Sequence, residues 1–204
     1  MIRALVNDIA QRVLTANKYE QKKNLSKRLK RLELKQGAKI LDFGCGTALF
    51  AKAFLDHGLS YYGYDIDSQL LSYARSLYKK AVFTSAKKQL SEIAPFDIIV
   101  ANCCFHHIPD SAAGIELNWL VGLLSKGGLF ILVDLLKDHE PSFFHSLYMK
   151  LEQGEYLRTE QEYLQILKPS FDIVEIEHER SSVFSLPFAV NPLYNDLVIV
   201  TLKN

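Results

Sequence analysis

Two cysteines and two histidines lie close together in the stretch Ala101 to Asp110, A-N-C-C-F-H-H-I-P-D. Both residue types are zinc ligands, so the first question is whether this stretch binds a metal. Zinc sites in loops usually space their cysteines by two to four residues, whereas Cys103 and Cys104 are adjacent. In an extended chain their side chains would point to opposite sides. We therefore predict no metal site here, and we expect at least one of the two cysteines to be a small buried residue.

A second candidate site begins at the glycine loop L-D-F-G-C-G-T-A, Leu41 to Ala48, where a predicted strand becomes a helix. Glycines at such a junction let the backbone turn tightly and approach a ligand, and the start of the helix offers free N–H groups. Asp65 ends the next predicted strand. An acid at that point accepts hydrogen bonds from the two hydroxyls of a ribose, so loop and acid together predict an adenosine-type nucleotide in a doubly wound sheet.

A dinucleotide is not the expected ligand. The dinucleotide fingerprint G-x-G-x-x-G requires a third glycine, where this chain has Leu49. Asp42 lies two residues before Gly44, and a carboxylate that close to the loop would repel a pyrophosphate. It would suit a cationic ligand that carries an ammonium and a sulfonium. A NAD-dependent oxidoreductase therefore stays a distant alternative.

The glycine loop resembles the first motif of class I S-adenosylmethionine-dependent methyltransferases, L-D-x-G-C-G-x-G. Three later stretches resemble further motifs of that family in the same order, and together the four cover about residues 38–135. These stretches are Y-Y-G-Y-D-I-D, F-D-I-I-V-A-N-C-C-F-H-H-I-P-D and L-L-S-K-G-G-L-F-I-L-V-D. Nearer the end, Q-G-E-Y-L-R-T-E-Q-E-Y is similar to bacterial members that act on small metabolites.

This resemblance implies an α/β fold with a doubly wound, mostly parallel seven-stranded sheet and an antiparallel last strand. It also implies S-adenosylmethionine as cofactor. Asp42 would help to hold the ammonium, Asp65 the ribose hydroxyls, and Ile66 would lie against the adenine. The positions implied to contact the cofactor are Asp42, Gly44, Cys45, Gly46, Asp65, Ile66, Ser85, Ala86 and Asn102.

Two positions depart from the family pattern. Ala48 replaces a usual glycine and is small enough to be harmless. Ser85 stands where the family often has an Asp that contacts the adenine amine. A hydroxyl can still form a hydrogen bond there, but the exchange can weaken the affinity for the cofactor.

His107 and His106 are the candidate catalytic bases. Methyl transfer is an in-line displacement at a sulfonium methyl, to which an enzyme contributes mainly proximity. An oxygen acceptor must also lose its proton, and a histidine titrates near neutrality. The resemblance matches His107 to the more regular histidine of its motif, which is often structural, so another base or none stays open.

Three residues are expected to contact the methyl acceptor. Arg158 would meet an anionic group, whereas Phe184 and Tyr194 would wall an apolar pocket if the segment Val183 to Tyr194 overhangs the site. The alternative is that this segment simply packs on the sheet. Its sequence Asn191-Pro192-Leu193-Tyr194 is similar to the N-P-P-Y motif of base N-methyltransferases. That motif belongs after the fourth strand, so base methylation is not expected.

The elements that position these groups alternate between strand and helix from residue 38 onward. K-I-L-D-F, F-D-I-I-V-A and L-F-I-L-V-D are apolar runs typical of buried parallel strands. Helices are expected over 68–78 and 112–124, with a turn at S-K-G-G before the next strand. Thr159 and Glu162 predict a capping box at the start of a further helix. Two strands, F-D-I-V-E-I-E-H-E and D-L-V-I-V-T-L, follow it.

The first 36 residues are expected to form one or two amphipathic helices with their basic side outward. They contain ten Lys or Arg and three acids, a local charge of +7, which leaves −6 for the rest because the net charge is +1. A basic tract of this kind can bind phosphates. An RNA methyltransferase is therefore the alternative to a small-molecule enzyme, although nucleic acid is the less favoured partner.

Length and composition favour one globular domain. The chain has 204 residues, 49% hydrophobic and 23% charged, and contains no apolar run long enough to span a bilayer. Three cysteines do not make a disulfide framework, so a cytoplasmic location is expected. We divide the single domain into a basic helical cap (1–36), a cofactor-binding half (37–135) and an acceptor-side half (136–204). A non-catalytic cofactor-binding subunit stays a third functional alternative, and the acceptor and the oligomeric state stay open.

Overall fold

The computed structural model describes the backbone of residues 18–137, 155–184 and 193–203, and side chains at 25–137, 155–179, 200, 202 and 203. The helices are α1 Lys18–Arg31, α2 Ala51–Asp56, α3 Ser68–Leu77, α4 Lys87–Ile93, α5 Asp110–Leu123 and α6 Glu160–Leu167, with a 3-10 turn at Phe105–His107. The strands are β1 Lys39–Phe43, β2 Ser60–Tyr64, β3 Val82–Thr84, β4 Phe96–Asn102, β5 Leu124–Leu135, β6 Asp172–Phe184 and β7 Leu193–Lys203. The helix predicted before Lys18 lies outside these residues.

The seven strands form one sheet in the order β3-β2-β1-β4-β5-β7-β6. The strands β1 to β5 are parallel, and β7 pairs antiparallel with both of its neighbours. This confirms the predicted mostly parallel sheet with an antiparallel last strand. The strand order reverses between β1 and β4, and in open α/β sheets ligands bind outside the carboxyl ends of the strands at such a point.

Each face of the sheet packs against its own set of helices. On β4, Ile99 belongs to the core that includes Leu117 of α5 and Tyr163 of α6. Its neighbour Val100 belongs to the core that includes Leu29 of α1, together with residues of α2 and α3. The period-2 alternation of side chains along a strand thus divides the apolar run F-D-I-I-V-A between two buried layers, as a doubly wound fold requires.

The turn predicted at S-K-G-G is a bulge inside β5. Phe96 pairs with Leu124 and Ile98 pairs with Leu129, so five residues of β5 span the interval that two residues of β4 cover. Gly127 has φ +74°, a left-handed conformation that glycine adopts without strain. The helix before it runs from Asp110 rather than from residue 112, and α4 was not predicted from the sequence.

The strands β6 and β7 are longer than predicted. β6 continues to Phe184 and β7 begins at Leu193; these two residues pair, and Ser182 pairs with Tyr194. The backbone at both ends of the segment Val183 to Tyr194 therefore belongs to the β6–β7 ladder. The expectation that Phe184 and Tyr194 wall an acceptor pocket stays a prediction. Residues 185–192 and the side chains of Phe184 and Tyr194 lie outside the described part of the chain.

Two local predictions at the surface have different outcomes. The capping box is confirmed, since the Thr159 hydroxyl accepts from the Glu162 N–H and the Glu162 carboxylate accepts from the Thr159 N–H. The basic side of α1, however, is not simply solvated. Arg28 lies 2.9 Å from Glu177 of β6, and Arg31 lies 3.7 Å from the same carboxylate. None of the helices in the described ranges is long and apolar enough to cross a membrane.

Candidate active site

The glycine loop after β1 is joined to the end of β2 by backbone hydrogen bonds. The N–H groups of Gly44 and Cys45 both donate to the Tyr64 carbonyl, at 2.8 and 2.9 Å. The Gly46 N–H donates to one carboxylate oxygen of Asp65 at 2.8 Å, and the Asp67 N–H donates to the other at 2.9 Å. The structure thus brings the loop and the predicted ribose acid together at the carboxyl edge of the sheet.

The two glycines of the loop serve different needs. Gly44 has φ +75°, and a Cβ built there would lie 2.5 Å from the Cβ of Cys104. Its missing side chain therefore lets the loop pack directly against the chain that follows β4. Gly46 has φ +51°, and a Cβ built there would meet nothing within 4 Å. Open space beside a backbone turn of this kind is where a ligand can pass closely.

Asp42 is a nearly buried carboxyl group beside this loop, with 4% of its surface exposed. Burial raises the pKa of Asp42 to about 7. The Tyr61 hydroxyl, which donates to Asp42 Oδ2, lowers this pKa, whereas the negative charge of Asp65 raises it further. The Tyr61 hydrogen bond is 2.6 Å long. A carboxyl group so far from water would be stabilised in its charged form by a cationic partner.

A cleft has four polar lining residues, Asp42, Asn102, Arg28 and Glu179. It lies on the face of the sheet that α1 and α2 cover. Apart from these four polar residues the lining is apolar: Leu25, Phe50, Phe54, Val100, Ile131 and Val133. An apolar cleft with a few polar groups suits a small organic ligand.

The remaining predicted cofactor residues lie along the same edge. Ile66 is 85% exposed, although it is a large apolar residue. Ser85 and Ala86 are exposed directly after β3. The Asp65 N–H donates to the Thr84 carbonyl at 3.3 Å, so the ends of β2 and β3 lie side by side. These residues could form a shallow surface for a flat aromatic ring.

His106 forms a buried pair with Asp134 at the end of β5. Both residues are fully buried, and His106 Nδ1 bonds to Asp134 Oδ1. The backbone N–H groups of His106 and Leu135 also donate to this carboxylate, at 3.1 and 2.8 Å. Because an ionised carboxylate can only accept, a neutral His106 carries its proton on Nδ1 and a lone pair on Nε2. Within the described ranges, His106 Nε2 is a buried nitrogen without a hydrogen-bond partner.

His107 has a different environment. Its side chain is exposed, and its ring centroid lies 4.1 Å from that of His106. The two candidate bases therefore differ in environment although their rings are in contact. His106 is buried and oriented by an acid, whereas His107 lies at the surface.

The neighbouring cysteines hold the loop after β4. Cys103 has φ +51°, and its N–H donates to the Val133 carbonyl at 2.7 Å. The Cys104 thiol donates to the Phe43 carbonyl at 3.2 Å, and burial raises the pKa of this thiol. A thiol that stays protonated is a poor metal ligand and a poor nucleophile.

Arg158 has its guanidinium inside the protein, with 3% of the residue exposed. All three of its nitrogens donate to groups of the segment 105–110, which follows β4. The structure thus places Arg158 next to the candidate base, as part of the protein interior rather than on an open surface.

Sequence reasoning did not single out Tyr61, Asp134 or Asp110. Asp134 ends the run I-L-V-D, and the carboxyl end of a buried strand is a signal that could have identified it. Tyr61 and Asp110 have no local signal, because their partners Asp42 and Arg158 are 19 and 48 residues away.

Comparisons with known proteins give one consistent family. Residues 16–177 match a family model described as a methyltransferase domain. The chain is 27% identical over 123 residues to an uncharacterized methyltransferase of Geobacillus sp. strain WCH70. That match covers 59% of this chain and 58% of the relative, which is less than two thirds of the relative's length.

Solved structures show the same fold. A SAM-dependent methyltransferase from Methanosarcina mazei has a TM-score of 0.66 at 17% identity, over 86% of this chain and 96% of that one. The magnesium protoporphyrin IX methyltransferase of Synechocystis PCC 6803, solved with bound SAM, has a TM-score of 0.67 at 14% identity, over 93% of this chain and 81% of that one.

Proposed function

Because the chain belongs to the class I S-adenosylmethionine-dependent methyltransferases, we propose that it methylates an oxygen atom of a small molecule. The choice of oxygen as the acceptor atom rests on His106 Nε2, which has no hydrogen-bond partner and belongs to a ring that Asp134 orients. A hydroxyl acceptor must lose its proton, and a lone pair on a buried imidazole can accept it. The apolar cleft on the face of the sheet that α1 and α2 cover supports a small organic ligand.

S-adenosylmethionine supplies an electrophilic methyl group when bound. The residues proposed to hold it are Asp42, Gly44, Cys45, Gly46, Asp65, Ile66, Ser85, Ala86 and Asn102. The open space beside Gly46 and the buried carboxyl of Asp42 fit a ligand with a flexible cationic end. The exposed Ile66 fits a flat apolar ring.

The acceptor is proposed to lie in the cleft and to reach the edge of the sheet where β4 and β5 end. Asn102 and Val133 line the cleft at these two strand ends. Because side chains alternate along a strand, Asp134 points to the face of the sheet that α5 and α6 cover, opposite to Val133 and the cleft. The acceptor hydroxyl would therefore have to reach the buried His106 around the carboxyl end of the sheet. The hydroxyl proton would pass to His106 Nε2, and the Asp134 carboxylate would stabilise the imidazolium that results.

The RNA alternative has less support. Arg28 and Arg31, two cations of the basic N-terminal tract, pair with Glu177 and are partly neutralised by it. Lys27 and Lys30 stay exposed on α1. A cleft of mainly apolar lining also offers little to a phosphate backbone, on which nucleic-acid affinity chiefly depends.

A labelling experiment tests the proposed function. The protein is incubated with methyl-labelled S-adenosylmethionine in three separate reactions. The first contains a panel of phenols and hydroxy acids, the second a panel of amines, and the third total RNA. We expect label in a hydroxyl compound of the first panel. Label that enters only amines would contradict the oxygen assignment, and label in RNA would favour the alternative. His106→Gln and His107→Gln then identify the base, since only the variant that removes it should stop turnover.

Replacing Asp65 by Ala should weaken the binding of S-adenosylhomocysteine at least tenfold, or about 1.4 kcal/mol. The substitution removes the carboxylate proposed to bind the ribose, and it frees the Gly46 and Asp67 N–H groups that this carboxylate holds. Isothermal titration calorimetry measures the effect. The control is Asp56→Ala, since Asp56 is an exposed acid that pairs with Lys52 on α2. Equal affinity of Asp65→Ala and the wild type would place the ribose elsewhere.

Gly44→Ala and Gly46→Ala should separate folding from cofactor binding. Both positions have positive φ, which costs a non-glycine residue about 1–2 kcal/mol. Only Gly44→Ala adds an overlap with Cys104, so it should lower the melting temperature more. Gly46→Ala should lower the melting temperature less than Gly44→Ala does. It should also lose affinity for S-adenosylhomocysteine, because the new methyl group enters the open space. Thermal unfolding and calorimetry measure the two effects, and unchanged affinity of Gly46→Ala would mean that the cofactor does not pass there.

A further inference from the structure

We propose that Arg158 is a positioning residue: it holds the segment 105–110 so that His106 stays paired with Asp134. The effect on turnover rests on the proposed function, whereas the effect on the histidine itself does not. Arg158 would then act through His106, and an anionic acceptor would not be its partner.

The guanidinium contacts both ends of the segment 105–110. Nη1 donates to the Phe105 carbonyl at 2.8 Å, and Nη2 donates to the Ile108 carbonyl at 2.7 Å. Nε and Nη2 both donate to Asp110 Oδ1, at 2.9 and 2.6 Å. Four bonds from one planar group thus fix the residues on both sides of His106.

The backbone next to Arg158 adds a second attachment. The Tyr156 N–H donates to the His106 carbonyl at 3.0 Å. The Lys137 N–H donates to the Arg158 carbonyl at 2.9 Å, and Arg158 forms a parallel bridge with Leu136. We call residues 156–158 the strap. It joins the His106 segment to the exit of β5, where Asp134 lies.

The strap is itself anchored at its far end. Thr159 follows Arg158 directly and closes the capping box that begins α6. Tyr163 of the same helix is fully buried, and its ring centroid lies 5.7 Å from the Arg158 guanidinium carbon. The Tyr163 hydroxyl reaches the Leu135 carbonyl at 3.4 Å, next to Asp134. Burial raises the pKa of Tyr163, so its hydroxyl stays protonated.

These contacts distinguish positioning from acceptor binding. Four of the five guanidinium N–H groups donate within the protein and only 3% of Arg158 is exposed, so an anionic acceptor in solution has little access to this group. A lysine keeps the charge but has one nitrogen, so it cannot reproduce a planar fork. Arg158→Lys therefore preserves attraction for an anion and removes the geometry that holds the segment.

The experiment compares Arg158→Lys with the wild type by NMR of protein labelled with ¹⁵N-histidine. His106→Gln identifies the His106 signals among those of the six histidines. We expect the Nδ1 proton of His106, which is hydrogen-bonded to Asp134, to give a resolved low-field signal in the wild type. In Arg158→Lys this signal should broaden or disappear, while the affinity for S-adenosylhomocysteine stays within twofold. The matched control is Arg75→Lys, because Arg75 also donates to a carbonyl, that of Phe83, at 2.8 Å.

Asp110→Asn covers the case in which Arg158→Lys does not fold. The Asp110 side chain is 82% exposed, so its replacement leaves the core intact, yet it weakens two of the four guanidinium bonds. It should broaden the same signal to a smaller extent. An unchanged His106 signal in both variants would overturn the proposal, as would a variant whose only defect is a raised KM for an anionic acceptor. If His106 is not the base, His106→Gln keeps its turnover while the NMR result still stands, so the two failures are distinguishable.

Discussion

Asp134→Asn is expected to lower the rate of methyl transfer to a hydroxyl acceptor about 10²- to 10⁴-fold, because the paired histidine would adopt the wrong tautomer. The Asp134 carboxylate accepts from His106 Nδ1 and leaves Nε2 as the acceptor. An asparagine can present its NH₂ group to Nδ1, which would move the imidazole proton to Nε2. The affinity for S-adenosylhomocysteine should not change, because Asp134 lies outside the residues proposed to bind the cofactor.

The rate is measured in single-turnover experiments with the acceptor that the labelling panel identifies. The low-field His106 signal reports the tautomer independently. Asp97→Asn is the matched control, because Asp97 also accepts from a backbone N–H, that of Lys39, at 2.8 Å. A rate for Asp134→Asn within a few fold of the wild type would show that the buried pair only stabilises the fold.

Asp42→Asn is expected to stabilise the protein above neutral pH and to weaken cofactor binding at the same time. Burial raises the pKa of Asp42 from 3.8 to about 7, so the folded state favours the protonated carboxyl. The contribution of Asp42 to the free energy of unfolding is fully present below its unfolded pKa of 3.8. It is lost as the pH rises through its folded pKa of about 7. The full difference corresponds to roughly 4 kcal/mol, and a neutral asparagine avoids this loss.

Urea denaturation at several pH values between 5 and 8.5 measures this stabilisation. The excess stability of Asp42→Asn over the wild type should grow with pH and level off above about 7. An excess that does not change with pH would mean that Asp42 is not the buried acid responsible.

Cofactor binding should show the opposite trend. An ammonium group pairs with the ionised carboxylate, so the affinity of the wild type for S-adenosylhomocysteine should rise as the pH increases through about 7. The affinity of Asp42→Asn should be lower and nearly flat over this range. Tyr61→Phe removes the hydrogen bond that lowers the pKa of Asp42, so it should move the rise to higher pH. Asp65, Arg28 and Glu179 are the other charged groups near Asp42, and calorimetry of these variants at fixed ionic strength keeps their screening constant.

Several features of this protein were determined by local sequence. The apolar runs of β1, β4 and β5 specify buried parallel strands, because a strand covered on both faces has no polar side. The capping box at Thr159 follows from two residues three positions apart. The glycine loop and Asp65 could be paired in advance, because consecutive parallel strands bring their carboxyl ends to the same edge.

Only the tertiary structure decided which side chains become partners. His106 meets Asp134 across 28 residues, Arg158 meets Asp110 across 48, and Arg28 meets Glu177 across 149. Periodicity and turn chemistry report the state of the backbone within one element, whereas these pairs depend on how elements pack and on where strand registers place each residue. The same reason explains why the hairpin of β6 and β7 was longer than predicted. Cross-strand pairing extended both strands beyond the residues whose local sequence predicted a strand.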